Sequence, residues 1–157
     1  MKKVKLIILV LFLSACDSAK VFEENIALKD NIWSLENHLK FQVEITDTVS
    51  DMNLIINIRH SARYPFSNLW IFVNTTNPEG VQNTDTLECL LAAKDGMWIG
   101  SGLGNIWDVQ TTLKTQVFRS PGDYTFEIEQ AMRYGDKARI EQLPEIMNVG
   151  LRIEKKD

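Results

Sequence analysis

Histidine and cysteine are nearly missing from this chain, with two of each in 157 residues. Metal centres and covalent nucleophiles draw on these side chains at close spacing. His38 and His60 are far apart, and neither has a second His or Cys two to four positions away. No metal site is expected, and the G-x-S-x-G elbow and the H-E-x-x-H pair of hydrolases are absent too. No cofactor motif appears, so the sequence predicts a chain that is not an enzyme. Four prolines and eight glycines are scattered without a linker or low-complexity stretch, and the length suits one domain. Basic charge is in short supply as well: 17 Lys and Arg face 21 Asp and Glu, which argues against a nucleic-acid partner.

Long apolar runs are lacking. The longest, residues 6–13, has eight residues, whereas a spanning helix needs roughly 20. It follows lysines 2, 3 and 5 and precedes Ser14 and Ala15, the order of basic, apolar and small residues found in a secretory signal. Cys16 comes directly after Leu13-Ser14-Ala15, an arrangement similar to the bacterial lipobox, where the thiol is acylated and cleavage falls just before it. Residues 1–15 are therefore expected to be a lipoprotein signal peptide, 16–22 a lipidated tether with Cys16 as the anchor, and 23–157 the folded domain. Without residues 1–15 three lysines are lost, so 14 basic residues face 21 acidic ones and the net charge is −7. The expected location is the cell envelope, on the inner or outer membrane. With Cys16 acylated, Cys89 has no partner and reads as an inert core thiol between Leu87 and Leu91.

What the sequence has in plenty is period-two alternation, the pattern of strands with one buried face. In "HLKFQVEIT", Leu39, Phe41, Val43 and Ile45 alternate with Lys40, Gln42 and Glu44; "MNLIINIRH" repeats the pattern, and "DTVSD" between them reads as the turn of a hairpin. "NLWIFVNTT" is apolar on both faces and predicts a central strand covered on both sides, with Trp70 in the core. "TDTLECLLA", a turn at Asp95-Gly96, a short strand "MWIG", residues 111–118 and 123–130, and "NVGLRIEK" bring the total to about eight strands. Helix is limited to one turn within 26–40 and another before Pro144. The fold class predicted is all-β: a single β-sandwich of jelly-roll type.

Gly100-Ser101-Gly102-Leu103-Gly104 lacks the phosphate-loop spacing and reads as a connection between strands. His38 and His60 fall at strand margins, where exposed or hydrogen-bonded roles are expected. A partner-binding surface is expected from the connections "RHSARYPFSN" and 98–108, with Arg59, Arg63, Tyr64, Phe66, Trp98, Trp107 and Asp108 as its candidate contacts, because Arg and aromatic residues dominate interface energetics. The four tryptophans keep a second reading open, a carbohydrate-binding module or glycan-acting protein, in which exposed indoles stack on sugar rings.

Several stretches in order, "VFEENIAL", "NIRHSARYPFSNLWIF", "DTLECLLAAKDGMWIGSGLGNIWD", "YTFEIEQAMR" and "VGLRIEK", resemble the gliding-motility lipoprotein family GldH of Bacteroidetes. That resemblance implies an envelope lipoprotein needed for gliding, with other gliding and type IX secretion proteins as partners and no catalytic residue. It also draws in a three-residue O-glycosylation pattern of that phylum, matched at Ser18, Thr48 and Thr86.

Overall fold

The computed structural model describes residues 18–136 and 138–156. Cys16 and the signal segment lie outside them. The described residues form eleven strands: β1 (Lys20–Ala27), β2 (Ile32–Ser34), β3 (Leu39–Ile45), β4 (Met52–Ser61), β5 (Asn68–Thr76), β6 (Gln82–Leu90), β7 (Ser101–Leu103), β8 (Ile106–Gln116), β9 (Gly122–Gln130), β10 (Gln142–Pro144) and β11 (Ile146–Lys155). One sheet has the order β1-β11-β4-β8-β7, the other β3-β9-β5-β6, and β2 with β10 forms a small ribbon. Every pairing is antiparallel. The all-β sandwich expected from alternation is what the chain adopts.

Alternation decides which side chains fill it. In β3, Leu39, Phe41, Val43 and Ile45 are buried and the residues between them exposed. Phe41 lies opposite Phe126, and Val43 opposite Tyr124, on β9. In the other sheet Leu54, Ile56 and Ile58 of β4 face Ile153, Leu151 and Val149 of β11. Both inward sets belong to one apolar cluster, and each side chain fully buried in it contributes about 1.5–3 kcal/mol.

Several local expectations are corrected. β3 and β4 are not a hairpin: they belong to opposite sheets, and the "DTVSD" segment crosses between layers. Asp47 holds that crossing by accepting from the backbone N–H groups of Val49 and Ser50, both at 3.0 Å, and from Lys155 Nζ at 2.7 Å. Neither helical turn in the two predicted segments becomes an α-helix. After a short 3₁₀ turn at Lys29–Asn31, with Asp30 and Asn31 both at φ 56°, the chain enters β2; the second segment supplies β10. The cause is burial, since pairing sets Trp33 against Leu143 and both are fully enclosed. "MWIG" makes only an isolated bridge, Ala92 with Trp98. Seven of the eight expected strands remain, and four that were not expected, β1, β2, β7 and β10, bring the number to eleven.

β5 is central in its sheet, yet only one face is covered. Leu69, Ile71 and Val73 are buried, while Trp70 is 39% exposed. A strand apolar on both faces needs a third layer to cover it, and among the described residues there is none.

Candidate functional site

β1 starts beside the end of β11, and β4 starts there too. β4 then runs away from that end, so Ser61, the start of β8 and the β7–β8 turn lie at the far end of the sandwich. The turn is a two-residue loop, Gly104-Asn105, and Gly104 takes a φ of 63° that costs glycine least. Gly102 is required for another reason: a Cβ there would come within 2.8 Å of the Trp107 ring. The glycine cluster is thus a hairpin seat.

Most of the expected contact residues gather at this end, in two roles. Arg59 reaches across to Asp108 with two hydrogen bonds, 2.7 and 3.1 Å, and that carboxylate holds the guanidinium pKa above its ordinary value. Arg63 pairs with Glu145 at 3.1 Å, whose carboxyl is held below its usual range first by the Ser61 hydroxyl. These charges are available at the surface. Tyr64 is not, because it is buried and donates its hydroxyl to the Asn68 carbonyl at 3.0 Å. Trp98 packs edge-on to His60 at 4.7 Å, and Trp107 covers Gly102. Those three aromatics support the end rather than present it. What the end does present is apolar: Leu90, Met97, Ile99, Leu103 and Ile106 are exposed, Leu103 by 88%. At the other end, only Val21, Val49 and Val81 are comparable among the described residues.

Phe66 belongs to a second feature that sequence reading missed. Together with Asn68, Trp70, Phe72, Met132 and Tyr134 it lines a groove of about 520 Å³ on the outer face of the four-stranded sheet. The available signal was "NLWIFV" itself, two-sided where no α-helix among the described residues covers it.

His60 is the buried exception among the polar residues. It was expected at an exposed or hydrogen-bonded margin, and it is fully enclosed. Nδ1 lies 2.9 Å from the Ser61 carbonyl, which accepts only, so Nδ1 carries the proton and the enclosed Nε2 has no partner among the described residues. Burial lowers its pKa from 6.5. The unfolded chain takes up that proton first, so the neutral ring stabilises the fold fully above about pH 6.5, and the contribution fades as the pH falls. Urea midpoints measured against pH are expected to drop below about 6.5, and His60→Phe to flatten that slope. A slope unaltered by the substitution would place its origin elsewhere. Asp47, Glu127 and Glu145 have lowered pKa values, so their share persists above about pH 4 and is lost in stronger acid.

Cys89 is buried and free, and burial pushes its thiol up to about 12. His38 sits at the surface against Glu127, at 3.0 Å. Among the described residues no three or more His, Cys, Asp or Glu side chains are grouped as metal ligands. Of the glycosylation candidates, Ser18 is exposed, Thr48 lies in the turn capped by Asp47, and Thr86 is an exposed residue of β6 opposite Phe72.

Known proteins were compared with this chain as a whole. It is 33% identical to the gliding motility lipoprotein GldH of Flavobacterium johnsoniae, over 97% of this chain and 95% of that protein. It is also 33% identical to a protein named gliding motility lipoprotein GldH homolog from Christiangramia forsetii, over 94% and 91%. Among solved structures, the VP2 subviral particle of infectious bursal disease virus aligns at 13% identity and a TM-score of 0.37, over 89% of this chain and 34% of that one. The match to the family described as GldH lipoprotein runs through residues 20–153, from the first strand into the last, and the chain belongs to that family.

Proposed function

We propose that this chain is a lipid-anchored, non-enzymatic component of the gliding machinery, and that it docks with another envelope protein of the gliding and type IX secretion apparatus. The names of its relatives support gliding, and the family description supports the anchor. One observation carries the docking role: exposed apolar side chains are concentrated at the end of the sandwich opposite the start of β1. That end is flanked by the Arg59–Asp108 and Arg63–Glu145 pairs. An apolar centre with a charged rim is the anatomy of a transient protein interface. Anchoring concentrates both partners at one membrane, so modest affinity suffices.

A photoreactive residue placed at position 103 is expected to crosslink one envelope protein in intact cells, and the same residue at position 49 to capture none. Leu103→Asp is expected to weaken that contact at least about tenfold and to impair gliding. Because Leu103 touches so little of the fold, stability should stay within about 0.5 kcal/mol. Equal capture from both positions, or normal gliding by Leu103→Asp, would remove the far end as the docking surface.

A further inference from the structure

We propose that the groove on the outer face of the four-stranded sheet binds carbohydrate, seating the pyranose rings of an uncharged oligosaccharide on Trp70 and Tyr134, with Phe72 lining it beneath Arg139. The site is separate from the apolar tip at Leu103, and it is not where the tryptophan count pointed, since Trp98 and Trp107 are committed to His60 and Gly102.

Three observations select the ligand class. Trp70 and Phe72 alternate with buried residues on β5, so both rings stand on one face, about 7 Å apart along the strand. Tyr134, 70% exposed, stands beside them against Phe66 at 5.7 Å. Flat rings of this kind pack against the apolar C–H face of a sugar.

Next, the polar groups around the rings have fixed directions. Asn68 donates to Glu88 at 2.6 Å, and Asn74 donates to Glu129 at 2.9 Å. Arg139 lies over Phe72 at 5.5 Å and reaches Glu129 at 3.6 Å. Braced amides, carboxylates and guanidinium groups are the donors and acceptors that the hydroxyl edge of a ring uses.

Charge and backbone exclude the main rivals. Of the residues that line the groove Arg133 alone is charged, and Glu88 and Glu129 stand opposite Trp70 and Phe72 on the neighbouring strands, so no run of basic charge is there to draw in a phosphate or a nucleic acid. β5, which carries Trp70 and Phe72, is hydrogen-bonded to β6 on one side and β9 on the other, so its own backbone is closed to strand addition by an extended peptide; the open edge of this sheet is β6. The volume, about 520 Å³, falls within the usual range for ligand sites.

The test uses the full chain in a detergent without a sugar headgroup. Cellotetraose, xylotetraose, mannotetraose and chitotetraose are titrated while tryptophan fluorescence and saturation-transfer NMR are recorded. At least one is expected to quench emission saturably and to take up magnetisation from the protein. Trp70→Ala and Tyr134→Ala should each weaken its binding tenfold or more, and Leu103→Asp should leave it unchanged, so the groove is scored separately from the docking tip. Tyr134→Ala retains the fold because the ring is mostly in solvent, and it decides the matter if Trp70→Ala fails to fold. The proposal is overturned if none of the four sugars binds, or if binding survives both substitutions. It is overturned equally if Trp70→Ala abolishes capture of an envelope protein while no sugar binds, because the groove is then a protein contact.

Discussion

Cys16→Ala is expected to abolish fatty-acid labelling and to move the protein from the membrane fraction into the soluble one. Each buried methylene contributes about 0.8 kcal/mol; one acyl chain binds reversibly, and two or more hold a protein firmly. Loss of the modified sulfur, together with the processing that depends on it, removes the whole of that term. No helix among the described residues is long and apolar enough to cross a membrane in its place. Metabolic labelling with an alkyne fatty acid, followed by fractionation, checks both halves, and labelling that survived the substitution would refute acylation at Cys16. The position also sets a geometry. Lys20, where β1 begins, is four steps along the chain from Cys16, a reach of at most about 14 Å. The ten residues of β4 then carry the fold about 33 Å further. Docking contacts at Leu103 and Ile106 would therefore meet a partner that projects well away from the lipid surface.

How much of this was legible in the sequence follows from what alternation can and cannot encode. A period of two tells which residues of a strand share a face, and it located β3, β4, β9 and β11 with their buried sets. It does not name the strand's neighbour. "HLKFQVEIT" and "MNLIINIRH" each have one apolar face and a turn between them, which fits a hairpin and a crossing between sheets equally well. The structure takes the crossing because the two apolar faces then meet across the core. Short strands were hidden for another reason: β2 and β10 have three residues each, too few for a period to show, and long-range burial of Trp33 and Leu143 holds them. At the candidate site, "RHSARYPFSN" and 98–108 were joined in the sequence reading on their chemistry, and the pairing of β4 with β8 sets Arg59 opposite Asp108 and His60 opposite Trp107. Yet exposure within them was not readable, because Tyr64 and Leu103 are both large residues in connections and only packing distinguishes the buried one from the bare one.

The tryptophans turn that distinction into a measurement. Trp33, read from sequence as part of a helical turn, is fully buried, and its indole N–H donates to the Asn37 carbonyl at 2.9 Å. Trp33→Ala removes the largest side chain of the ribbon end and leaves a cavity against Leu143, so a loss of about 3–5 kcal/mol is expected. Domains of this kind have roughly 5–15 kcal/mol in all, and the thermal midpoint should fall by roughly 6–20 °C. Trp70, read from sequence as core, stands on an open face, and Trp70→Ala is expected to cost only about 1 kcal/mol, the packing of the ring's lower edge. Thermal and urea denaturation of the two variants side by side gives the contrast. If both fell equally, the outer face of the four-stranded sheet would have to be covered in solution, and a groove open to ligand could not exist there; a large loss for Trp33 alone leaves that face bare, with its aromatic rings free to bind.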